Sequence, residues 1–268
     1  MSKATPFDVA YDELIENGGA GARAAYKTWR ERRGYEGVVE FVTTFTHEYL
    51  YRITPEELQD TRAGSEHALG EVRSEEQMDA VEDFTCPFAL QHLFHWYIES
   101  KRAVPRWQDF EGWIKHDVKQ HWLSPLAEHT GYGSADETGR REIARATRWR
   151  IGKFYLSAMR ELDVLCRLRA NYGVDLNYHL IADVLLRVDF WTGNKLLCLY
   201  FSNPKYRAGG LGRKPPAESF FRQSRTRFDV LELTVGRQGF GNFWLAPEDD
   251  LRRIAEQINA ATPDGRAG

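Results

Sequence analysis

The stretch ADVLLRVDFWTGNKLLCLYFSNPKYRAGGLGRK, Ala182 to Lys214, decides how the second half of this chain is read. Val184, Leu186, Val188 and Phe190 alternate with Asp183, Leu185, Arg187 and Asp189, the period-two pattern of a strand with two unlike faces. Thr192-Gly193-Asn194 is a turn signal, and Leu196 to Phe201 is an apolar run of strand length. A β-hairpin followed by a cationic loop is therefore expected. Asp183 and Asp189 share this hairpin with Arg187. Charges in a strand cost free energy unless they are paired, solvated or bound to a ligand. They are either salt bridges on an exposed sheet face or part of a site.

Upstream, Ala135 to Tyr172 reads as a long helix that opens on Asp136 and Glu137 and stops at Gly173, with a break expected at Gly139 or Gly152. A short strand is predicted over Val174–Leu180. Downstream, Pro215-Pro216-Ala217-Glu218 starts a short helix. Arg227 to Val235 alternates as a strand, Phe240 to Leu245 suggests an edge strand, and Pro247 to Asn259 is amphipathic. The order is α-β-β-β-α-β, an α+β half with a three-strand meander packed on the long helix. The first half reads as all-helical. Thr54-Pro55-Glu56-Glu57 sets a cap, a proline and first-turn acids in sequence, and Ser74-Glu75-Glu76-Gln77 has capping-box form. The Gly131-Tyr132-Gly133-Ser134 loop is the expected boundary, giving a helical acidic domain over 1–134 and a basic α+β domain over 135–268.

The 268 residues are 42% hydrophobic and 13% aromatic, the composition of a globular chain with a sizeable core. No apolar run approaches the roughly 18 residues of a membrane span, and the N-terminus lacks the apolar core of a secretory signal. Cys86, Cys166 and Cys198 form no disulfide framework or metal spacing, so buried thiols in a reducing cytoplasm are expected. The net charge of −3 hides an asymmetry: residues 1–139 hold 14 Lys and Arg against 25 Asp and Glu, and residues 140–268 hold 22 against 14. Such a split suits a polyanion partner for the second half and a protein partner for the first, or two halves that neutralise each other across an interface.

The α-β-β-β-α-β order with acids on the hairpin resembles the core of the PD-(D/E)XK nucleases, the restriction-endonuclease-like fold, over roughly Ala135 to Asn259. The resemblance implies an acid on the second strand and an E-x-K on the third, holding Mg²⁺ beside the scissile phosphate, often joined by a glutamate on the first helix. Hard divalent cations want carboxylate oxygens, and a lysine assists the attacking water. Glu161 stands where the helical glutamate belongs, and Asp183 and Asp189 are candidates for the second-strand acid. The E-x-K itself is missing from Leu196–Phe201. Lys195 and the Asn203-Pro204-Lys205 segment are its nearest echoes, and Glu218 is a candidate migrated acid. The implied metal ligands are Asp183, Asp189 and Glu161, with Lys195 or Lys205 as catalytic lysine.

From Lys205 to Arg227 seven cations face one acid. Arg207, Arg213, Lys214, Arg222, Arg225 and Arg227 are the expected phosphate contacts, with Lys205 at the head of the segment. His92 and His95 have the i, i+3 spacing of a zinc pair near Cys86, but no second pair follows, so core histidines are expected. His179 is a candidate general acid or base, with a structural role as its alternative. The function expected from all this is action on nucleic acid, by a Mg²⁺-dependent nuclease with an atypical site or an inactive relative. The alternative is a non-enzymatic interaction subunit of a larger complex.

Overall fold

The structure, a computed structural model, describes residues 4–201, 216–224, 226–236 and 245–260. Its longer helices are α1 (Gly19–Arg30), α2 (Glu36–Thr44), α3 (Pro55–Ala63), α4 (Leu90–Lys101) and α5 (Glu137–Tyr172), with α6 (Glu248–Asn259) near the end. One mixed sheet holds β1 (Phe190–Thr192), β2 (Lys195–Phe201) and β3 (Asp229–Val235) in that order. The protein is thus α+β and mainly helical. Among the described residues no helix is long and apolar enough to cross a membrane.

α5 is the axis of the molecule. Its 36 residues span about 54 Å at 1.5 Å per residue. The Asp136 side chain accepts from the Gly139 amide at 2.8 Å and caps its start. Gly173, at φ 63°, ends it, and the amide of Val174 closes back on the carbonyl of Leu168 at 3.2 Å. The expected break is absent. Gly152 instead lets the 68–69 loop press on the helix, since a Cβ there would lie 3.0 Å from the Ala68 carbonyl oxygen. Phe94, Trp107 and Phe110 gather around Tyr155 of α5 in edge-to-face and stacked contacts, all nearly inaccessible.

The hydrophobic core runs as a single cluster from Ala10 to Ile258, across the Gly131–Gly133 loop. The halves also meet through charge. At the Arg-rich start of α5, Arg145 pairs with Glu76, and Arg148 lies 3.8 Å from Glu111. Arg150 donates to the Phe84 carbonyl at 2.7 Å and to that of Val81. Part of the cationic surplus of the second half is therefore met by the acidic first half.

The hairpin is shorter than its pattern suggests. Ile181–Leu186 is a π-helical turn, not a strand. Ile181, Ala182 and Leu186 are buried while Asp183, Val184 and Leu185 are half-exposed, a helical rather than a two-faced pattern. A short apolar run fits both periods, and tertiary packing decides between them. The turn ends at Arg187, in left-handed conformation at φ 66°, with the Val188 amide bonded to the Ala182 carbonyl at 3.1 Å. The strand predicted over Val174–Leu180 reduces to a single antiparallel bridge, Asn177 to Trp191. β1 pairs with β2 antiparallel, Thr192 opposite Lys195, as the turn signal requires. β3 runs parallel to β2, so the three consecutive strands are no meander. The long connection between them supplies the crossover that a parallel pair needs. The predicted edge strand over Phe240–Leu245 lies outside the described residues except at its last position.

Candidate acidic site

Three elements bring carboxylates to one place. Glu161 comes from the second half of α5, Asp183 from the π-helical turn, and Asp189 from the residue just before β1. Each side chain is half-buried. Burial pushes the Glu161 carboxyl well above the usual carboxylate range, with Asp189 and then Asp183 adding to the rise. Burial and the neighbouring Asp183 push Asp189 up to about 8. Gathered, like-charged acids hold their protons in this way because ionising all of them in a poorly solvated pocket is costly.

The surrounding hydrogen bonds fix the set. An Asp189 carboxylate oxygen accepts from the Leu199 amide at 2.5 Å, and its own amide donates to the Leu197 carbonyl at 2.9 Å. Asp183 accepts from the Tyr178 hydroxyl at 2.9 Å. The Gln91 amide donates to the Tyr178 oxygen at 3.0 Å and to Glu161 at 3.4 Å, so one α4 side chain ties two of the acids together. Arg187 supplies positive charge. Burial lowers its proton affinity, and Asp183 and Asp189 pull it back up. At the edge of the sheet, Glu232 is the register partner of Cys198, and the Tyr200 hydroxyl lies 3.5 Å from it. Burial, then Glu232, Cys198 and Asp189 push that hydroxyl up to about 12.

The sequence placed Arg187 beside the two aspartates, but Gln91, Tyr178 and Glu232 were missed as parts of this set. Gln91 carries a signal in retrospect, since it lies one turn before His95 on a helix face turned inward. Tyr178 carries none.

The expected lysine is elsewhere. Lys195 is buried, and its Nζ donates to the carbonyls of Gln257 at 3.1 Å, Ile258 at 2.6 Å and Ala260. It caps the C-terminus of α6, where the helix dipole and unpaired carbonyls favour a cation. Its ammonium is thereby engaged at the helix end, a position that stands against the catalytic role expected for it. Lys205, Arg207, Arg213, Lys214 and Arg225 lie outside the described residues. Arg222 and Arg227 are exposed, with the Arg227 carbonyl accepting from the Asn194 side chain at 3.0 Å. Glu218 is exposed at the start of the Glu218–Phe221 helix.

The three candidate histidines are interior groups. His179 Nδ1 accepts from the Ile181 amide at 3.2 Å, which leaves Nε2 to donate to the Phe45 carbonyl at 3.2 Å. With both nitrogens engaged, it does not serve as acid or base to the carboxylates. His92 Nδ1 accepts from the Ala89 amide at 2.9 Å at the start of α4, while His95 stacks on Tyr178 at 4.5 Å. Burial lowers His92 and His95 to about 3.

The carboxylates fit a hard cation in one respect. Their mutual repulsion is the penalty that a bound divalent ion relieves, and Mg²⁺ keeps several waters and takes as few as one or two carboxylates. Among the described residues, no group of three or more His, Cys, Asp or Glu side chains is arranged to ligate one ion together. A two-carboxylate set completed by water is therefore the arrangement compatible with these residues. Comparison with protein-family models, with curated proteins and with solved structures found no match to the chain.

Proposed function

We propose that this protein acts on the phosphodiester backbone of nucleic acid, as a divalent-cation-dependent nuclease with an atypical site or as a relative that binds without cleaving. The observation that carries the reading is the convergence of Glu161, Asp183 and Asp189, with the proton affinities of Glu161 and Asp189 raised by burial and by their acidic neighbours. The element order adds support: α5 leads into the Asn177 bridge, β1, β2 and a β3 parallel to β2, in keeping with a restriction-endonuclease-like core.

Asp189 with Asp183 or Glu161 would hold Mg²⁺, which supplies charge neutralisation at the phosphate and a more acidic bound water. The chain's own groups do the rest. Tyr178 and Gln91 orient Asp183 and Glu161, and Asp189 is fixed to β2 through the Leu199 amide. Arg187 stands beside the acids as a donor for a phosphate oxygen. Exposed Arg222 and Arg227 offer further phosphate contacts, which are sequence-independent by nature. The part of the standard lysine is left to Lys205 or is unfilled.

One observation favours a second reading, the non-enzymatic interaction subunit: Lys195, the residue best placed in sequence to act as the lysine, is committed to α6. The two readings separate in one experiment. Purified protein is incubated with labelled single- and double-stranded DNA and RNA, with Mg²⁺, with Mn²⁺ and with EDTA. Metal-dependent cleavage that falls at least a hundredfold in Asp189→Asn is the expected result. Salt-sensitive binding without cleavage would identify the inactive relative. Neither cleavage nor binding at low salt would remove the nucleic-acid reading and leave the interaction subunit.

A further inference from the structure

About 15 Å along α5 from Glu161, at 1.5 Å per residue, the first half of the same helix walls a separate cavity. Its volume is about 760 Å³, within the range of sites that enclose a small organic molecule. The interior is apolar: Val72, Trp107, Ile114, Leu126, Ile143 and Ile151 line it, all buried in the core. The polar lining is of the opposite character to the acidic site, with five cations against the two carboxylates Glu71 and Glu111.

Those cations are unequally satisfied. Lys115 pairs with Glu111 at 3.0 Å, Arg141 with Glu137 at 3.2 Å, and Arg145 with Glu76. Among the described residues Arg148 has only the shared Glu111 at 3.8 Å and the His67 carbonyl at 3.5 Å as polar partners, and its buried Nε has no hydrogen-bond partner. Its guanidinium lies 5.5 Å from the ring centre of Trp107, whose indole N–H is likewise without an acceptor. Lys119 at the mouth pairs with no described acid. A buried donor left unpaired costs free energy that an arriving acceptor recovers.

We propose that this cavity is a binding site for a small amphipathic organic anion. An aromatic or aliphatic body would fill the apolar interior, and one carboxylate, sulfonate or phosphate group would meet Arg148 and Lys119. The site does not depend on the nuclease reading, since it shares no residue with the acidic set.

The test uses two fluorescent probes with the same aromatic body, anilinonaphthalene sulfonate and N-phenylnaphthylamine, which lacks the sulfonate. Calorimetric titration of the full chain at neutral pH should find one sulfonate-probe site per chain, with affinity about tenfold or more above that of the neutral probe, the contribution of one charge-assisted hydrogen bond. Ala144→Trp, at an exposed wall position, should obstruct the cavity and weaken binding of both probes at least tenfold. Arg148→Met should erase the preference for the anion while the neutral probe still binds. Exposed Lys119→Met should reduce the same preference, and gives the same reading if the Arg148 variant loses its fold. Absence of saturable sulfonate binding, equal affinity for the two probes, or binding unchanged in Ala144→Trp would each overturn the proposal.

Discussion

Lys195 and Asp189 flank the same short turn, yet the structure gives them unrelated work. Asp189 joins the acids through the Leu199 amide, whereas Lys195 is sunk beneath the sheet against the end of α6. Replacing Lys195 by Met removes three hydrogen bonds from a buried cation and leaves three carbonyls at a helix end without a donor. We expect a loss of about 3 kcal/mol in urea denaturation, with any cleavage per folded molecule unchanged. If stability held while cleavage vanished, the capping role would be wrong and the catalytic one restored. At this scale the sequence was legible where chemistry is local. Asp183 and Asp189 drew notice because charge in an apolar, ordered stretch demands a reason, and Glu161 only because the resemblance puts a glutamate on the preceding helix. The fate of Lys195 was not, since only the packing of α6, some sixty residues later, decides it.

Among the elements, α1 shows how close approach overrides propensity. Gly21 lies inside α1, where alanine would normally be worth about 1 kcal/mol more than glycine. A Cβ at this position would stand 2.6 Å from the carbonyl oxygen of Phe220 and 3.1 Å from its carbonyl carbon, backbone atoms of the short helix that precedes β3. Gly21→Ala should therefore destabilise by about 2 kcal/mol, against the sign of the propensity, because backbone has to move. A thermal midpoint equal to or above that of the parent would show that the Glu218–Phe221 helix does not rest on α1. The same contact explains what the sequence could not give. Caps and breakers stood in plain view: Thr54 accepts from the Glu57 amide at 3.2 Å, and Gly173 ends α5. The 181–186 segment was misread because Ile181, Ala182 and Leu186 satisfy a helical stripe as readily as Val184, Leu186 and Val188 satisfy a strand. The parallel placing of β3 depends on a crossover, which no local pattern encodes.

For the molecule as a whole, two buried sets of titratable groups oppose each other. His47, His92, His95 and His179 lie inside, and burial holds each below its ordinary value, His92 and His95 at about 3 and His179 at about 4. In the unfolded chain they titrate near 6.5, so below about 6.5 unfolding takes up protons. Their contribution is therefore present above that pH and is lost as pH falls. Glu161 and Asp189 run the other way, raised by burial and by neighbouring acids, Glu161 by Asp189 and Asp183, and Asp189 by Asp183 to about 8. Their contribution is full below about 4, the unfolded carboxylate value, and is lost as pH rises through the folded value. Near pH 5.5 four histidines each gain close to one proton on unfolding while two acids each release one. The net uptake of about two protons makes stability fall by roughly 3 kcal/mol per pH unit towards acid. Near pH 7.5 the histidines are neutral in both states, only the acids act, and the slope changes sign. Urea denaturation across this range should give a maximum near neutrality. Asp189→Asn should steepen the acid limb, flatten the alkaline one and add about 2 kcal/mol at pH 8, a figure reduced from the full linkage value because the carboxyl keeps some solvent contact. Saturating Mg²⁺ should do for the parent at pH 8 what the substitution does, and should do little for the variant, since it would neutralise the same repulsion. A parent whose stability is flat from pH 5 to 8, or a variant with the parent's alkaline limb, would mean that Asp189 does not hold its proton in the folded state. The electrostatic case for a cation at this site would then fall with it.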